Sequence, residues 1–281
     1  MGYLVLAISV FLHAGWNVTL GWLRRSDRPV SSTADMLITG GLLFLPLAVF
    51  TWHFELYALP FAAASILFST IYFALLEKAY ATAPVGEVYP IVRGSSPVLV
   101  VTASAILGTT IGWTRWLGVA FIAVGVLMIA LSRAQPAVPG ISGGRRSVLW
   151  GLTIGLCVAS YTMFDGVGVQ HASPMAYLVT VMGGSGLVLK IRDLARGTAS
   201  TLTLRSLPLT AAGGGAMLGA FGLTLIAMTQ LPIAVVASVR ESSIVVGALL
   251  SRLLLHERIS RQGAFGIASV LTGTVVIGLP A

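Results

Sequence analysis

The sequence predicts an all-α integral membrane protein: ten transmembrane helices, arranged as two inverted five-helix repeats around a central cavity. Three observations predict it. Hydrophobic residues make up 56% of the 281-residue chain and charged residues only 9%, far less charge than a soluble domain carries. Apolar stretches near twenty residues recur from end to end, the length that a helix rising about 1.5 Å per residue needs to cross about 30 Å of hydrocarbon. The segments on either side of a Pro/Gly/Ser-rich stretch at 134–147 match one another.

Taken in order, the spans fall at 3–22, 32–52, 58–80, 84–107 and 112–131 in a first repeat, residues 1–133. After the 134–147 linker they fall at 148–170, 173–191, 207–230, 232–255 and 261–279 in a second repeat, residues 148–281. The first run, Tyr3 to Trp22, spans rather than serving as a signal peptide, because it lacks a short apolar core followed by a small-residue cleavage site. It carries His13, Trp16 and Asn17, matched in the sixth span by Tyr161 and Asp165. The fourth span carries Arg93-Gly94-Ser95-Ser96 and the ninth Arg240-Glu241-Ser242-Ser243. Gly118 and Gly125 in the fifth correspond to Gly266 and Gly273 in the tenth, and such small-residue faces allow close helix approach. They leave open whether the close contact lies within the chain or in a homodimer. An odd number of spans per repeat makes the second copy enter from the opposite side, the arrangement that gives two interchangeable states around a mid-membrane site. Rocking of the two halves would exchange those states.

The net charge of +8 does not signal nucleic acid, because nearly all the basic residues sit between spans. Arg24, Arg25, Arg28, Arg133, Arg145, Arg146, Arg196, Arg205 and Arg258 share one side with most of the others, and Arg115 lies opposite. The positive-inside rule makes the rich side cytoplasmic and puts both termini outside. Cys157 is the only cysteine, which rules out an intramolecular disulfide and a cysteine metal cluster. No paired-histidine zinc motif, phosphate-binding glycine loop or nucleophile elbow is present, and no metal or cofactor is expected. An intramembrane enzyme, or a flippase acting on a lipid-linked substrate, is the alternative to a transporter.

Charges inside spans cost several kcal/mol unless they are paired or line a wet cavity. Arg93 and Arg240 lie roughly 12–14 Å deep, near the midplane. Two guanidiniums there form a fork for a carboxylate, phosphate or phosphonate, or pair structurally with Glu87, Asp165 or Glu241. Helical spacing puts Tyr89 and Ser96 on the face of Arg93, and Ser243 on that of Arg240. Trp16 and Tyr161 suit either core packing or stacking on a substrate, and Asn17 either a ligand contact or an interhelical bond. His13, Glu87, Asp165 and Glu241 are candidates for proton coupling or ion pairing. Pro90 and Pro97 free backbone carbonyls near Arg93.

The two five-span copies, the glycine-rich fifth and tenth spans, and the run Leu253-Leu254-Leu255-His256-Glu257-Arg258 resemble the EamA family of the drug/metabolite transporter superfamily. The resemblance covers essentially the whole chain. It implies a ten-helix basket around a central cavity open to one side, an inner-membrane location, cytoplasmic termini, and import or export of amino acids, other metabolites, sugars conjugated to nucleotides, or drugs. The family's acidic residue after the ninth span is present as Glu257, but Thr109 or Thr110 stands in its place in the first half.

Overall fold

A computed structural model describes residues 2–25, 33–106, 112–131, 144–200, 202–204, 206–230, 236, 240, 243–256 and 259–278. Its helices are α1 (Gly2–Arg25), α2 (Thr33–Phe50), α3 (Leu59–Thr82), α4 (Val85–Ile106), α5 (Trp113–Ala130), α6 (Arg145–Gly168), α7 (Pro174–Ala195), α8 (Leu207–Met228), α9 (Ser243–Leu254) and α10 (Arg261–Gly278). Each predicted span overlaps one of them. The ninth differs most: α9 covers its second half, Val236 and Arg240 are described ahead of it, and Glu241 lies outside the described residues, as do Thr109, Thr110 and Glu257. Prolines open α3, α7 and α8 in the first turn, where a missing N–H costs no intrahelical bond. Ser173 caps α7, its hydroxyl accepting from the Ala176 N–H at 3.4 Å.

Among the described residues, five helices are long and apolar enough to cross a membrane, those covering Thr33–Phe50, Leu56–Thr82, Arg145–Gly168, Pro174–Ala195 and Leu207–Met228. Further apolar helical stretches cover Leu4–Leu20, Trp113–Ile129, Ser243–Leu254 and Arg261–Ile277. The fourth helix carries Glu87, Arg93, Ser95 and Ser96, and all four are buried. The molecule is inside-out by the standard of a water-soluble fold. Leu42, Leu43 and Val49 on α2, Leu127 on α5, Leu149 on α6 and Ile191 on α7 are exposed, whereas Ser9, His13, Asn17, Asp165 and Arg240 are buried. That inversion suits lipid outside and a polar site within.

Packing runs across the two halves rather than within them. The main contacts join α1 to α8 and α9, α6 to α3 and α4, α2 to α7 and α8, α3 to α7, α4 to α9, and α5 to α10. Replacing each helix by the one five places away returns the same set of pairs. Every one of these pairs joins a helix of residues 1–133 to one of residues 148–281.

Glycines set the direction of two pairs. A Cβ on Gly118 would stand 2.7 Å from the Gly273 carbonyl oxygen, and one on Gly273 would stand 2.5 Å from that of Gly118. Gly125 and Gly266 are reciprocal in the same way, at 2.6 and 2.8 Å. Residues rising along α5 therefore meet residues falling along α10, and the two helices are antiparallel. Between α2 and α7, Gly41 faces Gly183 while Gly186 faces Leu37 and Ile38, again antiparallel.

Polar staples tie the ends. Lys190 Nζ donates to Asp35 Oδ1 at 2.8 Å, and Arg192 lies 3.6 Å from Glu77 and 2.7 Å from Asp193. These join the ends of α2 and α3 to α7. At the opposite end the α2–α3 turn pairs with the α6–α7 turn: Glu55 N–H donates to the His171 carbonyl at 2.9 Å and Ser173 N–H to that of His53 at 2.8 Å. The Glu55 carboxylate lies 2.9 Å from His171 Nδ1 and 3.4 Å from His53 Nε2.

Candidate functional site

Helix α1 turns His13, Trp16 and Asn17 inward, and all three are buried. Their spacing of three and four residues places them on one face. Asn17 is committed on both sides: its Nδ2 donates to the His13 carbonyl at 2.8 Å and its Oδ1 accepts from the Tyr80 hydroxyl at 2.7 Å. It fixes α1 to α3 and so sets where His13 and Trp16 stand.

The two arginines approach this face from opposite sequence halves, each 4% exposed. Arg93 Cζ lies 5.4 Å from the centroid of the Tyr89 ring, within cation–π range. The Tyr89 hydroxyl donates to Ser243 Oγ at 2.9 Å, linking the two arginine-bearing segments. Gly247 makes room for that ring, since a Cβ there would stand 2.7 Å from it. Both guanidinium charges act on His13 and on Tyr72, and that of Arg240 also reaches Asp165. Ser96 is buried one turn beyond Arg93.

Around these groups stand aromatic residues that the sequence reading did not single out. Tyr72 and Phe73 on α3 and Phe221 on α8 join His13, Trp16 and Tyr161. Successive ring centroids lie 5.5 Å apart for His13–Trp16, 6.2 Å for Trp16–Phe73, 4.7 Å for Phe73–Tyr72, 5.7 Å for Tyr72–Tyr161, 5.6 Å for Tyr161–Phe221 and 6.5 Å for Phe221–His13. In sequence Tyr72, Phe73 and Phe221 sit in continuous apolar runs where no periodicity separates an inward ring from a lipid-facing one.

Two polar atoms in this collar, His13 Nδ1 and Trp16 Nε1, are buried without a hydrogen-bond partner among the described residues. An orphaned buried donor or acceptor costs about 1–3 kcal/mol.

Two of the acidic candidates have partners in neighbouring helices, and Glu241 lies outside the described residues. Glu87 Oε2 accepts from the Gly144 N–H and from the Ser147 hydroxyl, each at 2.8 Å. It thereby serves the N-terminus of α6, where a carboxylate favours the helix dipole. Asp165 Oδ1 accepts from Ser65 Oγ at 2.5 Å, one turn beyond Tyr161.

The EamA-like transporter family model matches residues 1–131 and again 145–279, almost the whole chain in two copies. The chain belongs to the EamA-like transporter family. Members of this family are membrane transporters of the drug/metabolite type, not enzymes, and this EamA protein is accordingly a multi-pass membrane protein. A solved structure titled "Crystal structure of protein" superposes with a TM-score of 0.65 at 17% sequence identity, over 98% of this chain and 95% of that one. At that identity the likeness is one of fold alone. No curated protein matches the sequence.

Proposed function

We propose that this protein is a secondary transporter of the inner membrane, spanning it ten times as two inverted five-helix repeats. It moves a small metabolite with an anionic group, an organic acid, amino acid or phosphonate, by alternating access. The observation that carries the reading is the convergence of Arg93 and Arg240, from matching places in the two repeats, on one buried face of His13 and Tyr72. The antiparallel course of α2 with α7 and of α5 with α10 supports the inverted repeat. The main helix contacts all join one repeat to the other, so in this reading the moving bodies combine helices of both repeats. In this reading Asn17 and Glu87 position helices, whereas Tyr89, Ser243, Trp16 and Tyr161 surround the substrate and Ser96 extends the polar face. His13 and Asp165, both buried, are the candidates for proton coupling.

The test is uptake into proteoliposomes with Arg93→Ala and Arg240→Ala. A charge-assisted hydrogen bond contributes about 1.5–3 kcal/mol, equivalent to about 10- to 150-fold in affinity. Each variant should elute as folded protein and lose saturable uptake. Transport retained by either variant would return that arginine to a structural role.

A further inference from the structure

Helices α3 and α6 meet in a ladder of paired residues. Ser65 Oγ donates to Asp165 Oδ1 at 2.5 Å, the Phe68 and Phe164 rings stack with centroids 5.8 Å apart, and the Tyr72 and Tyr161 rings meet edge-on at 5.7 Å. Numbers rise along α3 as they fall along α6, so the two helices run antiparallel and the Asp165 rung is the outermost. Asp165 stands three residues before Gly168, where α6 ends, or about 4.5 Å along the axis. Ser65 lies six residues after Leu59, where α3 begins, and Tyr177 three after Pro174, where α7 begins. All three residues therefore share one end of the bundle, beneath the α2–α3 turn, whose Phe54 ring stacks on that of Tyr177 at 6.4 Å. Gly168 makes room for that tyrosine, since a Cβ there would stand 2.5 Å from its hydroxyl.

The Asp165 carboxyl is 3% exposed, with the Ser65 hydroxyl bonded to it from α3 and the Tyr177 hydroxyl beside it from α7. The other charged and titratable groups around it are Arg240, which acts by its charge, Tyr72 further along α3, and Arg93 and Glu87 on α4. Glu87 is held at the opposite end of α6 by Gly144 and Ser147, and Glu55 pairs with His171 at the surface of the turn. A proton has opposite consequences at the two buried candidates: on His13 it creates a charge in the membrane interior, and on Asp165 it removes one. A serine hydroxyl suits both states of the carboxyl, because it donates to a carboxylate and equally to the carbonyl oxygen of the protonated acid. The bond to the carboxylate is the stronger of the two, so taking up a proton weakens the outer rung between α3 and α6. Tyr161 lies one turn inward from Asp165 on the same face of α6, so the proton and the substrate surroundings act on one ladder.

Resting on the transport reading above, we propose that Asp165 is the proton-binding site that drives this transporter, with Ser65 as its positioning partner. An O–H bond forms at Asp165 with a proton from water at that end of the bundle, the Ser65 bond weakens, and α3 is freed to part from α6. The O–H bond breaks again, returning the proton to water, once the site faces the other side.

The experiment is infrared difference spectroscopy of the full chain in lipid vesicles between pH 9 and pH 5, followed by uptake under a pH gradient. The wild type should gain the carbonyl stretch of a protonated buried carboxyl, and Asp165→Asn should lack it. Ser65→Ala should keep the band and move it to higher frequency, because a hydrogen-bonded carbonyl absorbs below a free one; Glu87→Gln should leave it unchanged. No band in the wild type, or the same band in Asp165→Asn, overturns the proposal, and an unmoved band in Ser65→Ala removes Ser65 from it. If Asp165→Asn does not fold, the Ser65→Ala shift decides. The uptake probes are L-glutamate and 2-oxoglutarate, with the membrane potential clamped at zero. For one proton per anion, a one-unit pH gradient should change steady-state accumulation about tenfold in the wild type, whereas Asp165→Asn should equilibrate the anion without responding to the gradient. A wild type that ignores the gradient, or an Asp165→Asn that follows it, overturns the proposal. Failure of the wild type to move either anion counts against the arginine site alone and leaves the infrared result to decide Asp165.

Discussion

Adding a single methyl group at Gly118 or Gly273 should loosen the α5–α10 pair measurably. The new Cβ would stand 2.7 or 2.5 Å from a carbonyl oxygen of the facing helix, where ordinary contact begins at 3.4 Å. The helices must therefore part locally by roughly 0.7–0.9 Å, into backbone that has no flexible side chain to yield. Overpacking of this kind costs about 1–3 kcal/mol, and the better helix propensity of alanine returns up to about 1 kcal/mol. A net loss of about 1–2 kcal/mol is expected for each variant, or about 2–8 °C in the melting temperature. Gly118→Ala combined with Gly273→Ala should cost less than the sum, because one separation relieves both clashes. Gly183→Ala is the internal control: a Cβ there meets nothing within 4 Å, so alanine should be neutral or slightly stabilising. Cys157, the sole cysteine, is buried, and a thiol-reactive fluorophore reports unfolding at that one site. If Gly118→Ala and Gly273→Ala melt like the parent while Gly183→Ala is destabilised, the helices are not packed as described.

Removing the Glu87 carboxylate with Glu87→Ala should destabilise the α6 N-terminus by about 0.5–2 kcal/mol, seen as a lower melting temperature with substrate affinity little changed. A loss of binding at unchanged stability would move Glu87 into the site. At the α2–α3 turn, the bond to His171 is the main reason the exposed Glu55 carboxyl lies below its ordinary 4.5, with His53 adding to it. A lowered folded-state pKa means that the contribution is complete above 4.5 and is lost as pH falls through the lower folded value. Hydrogen exchange at the Glu55 and Ser173 amides should therefore stay slow at pH 5 and accelerate only well below 4.5. Acceleration already between pH 6 and 5 would contradict this pairing.

Some of the site was legible in residue spacing. The fourth and ninth spans were matched through Arg93 and Arg240, and Tyr89 and Ser243 were placed beside them; the structure then joins those two by a hydrogen bond. Asn17 and Glu87 were recognised as polar groups inside or at the edge of spans. Their use was not legible, because Tyr80 and Gly144, the partners that engage them, lie far away in sequence. Tyr72, Phe73 and Phe221 went unmarked because an aromatic residue in an apolar run looks the same facing lipid or facing inward.

By itself the sequence determined that the chain is helical and apolar, roughly where its helices lie, and that its two parts repeat. These properties depend on local composition, on 1.5 Å of rise per residue and on the cost of charge in hydrocarbon, all of which act along the chain. Only the tertiary structure decided that the repeats interdigitate, that Gly118 meets Gly273 rather than its sequence counterpart, and that six rings from four helices close into a collar. Those outcomes depend on which faces of distant helices meet and in which direction they run. Direction and facing are set by close packing between helices, which no single stretch of sequence encodes.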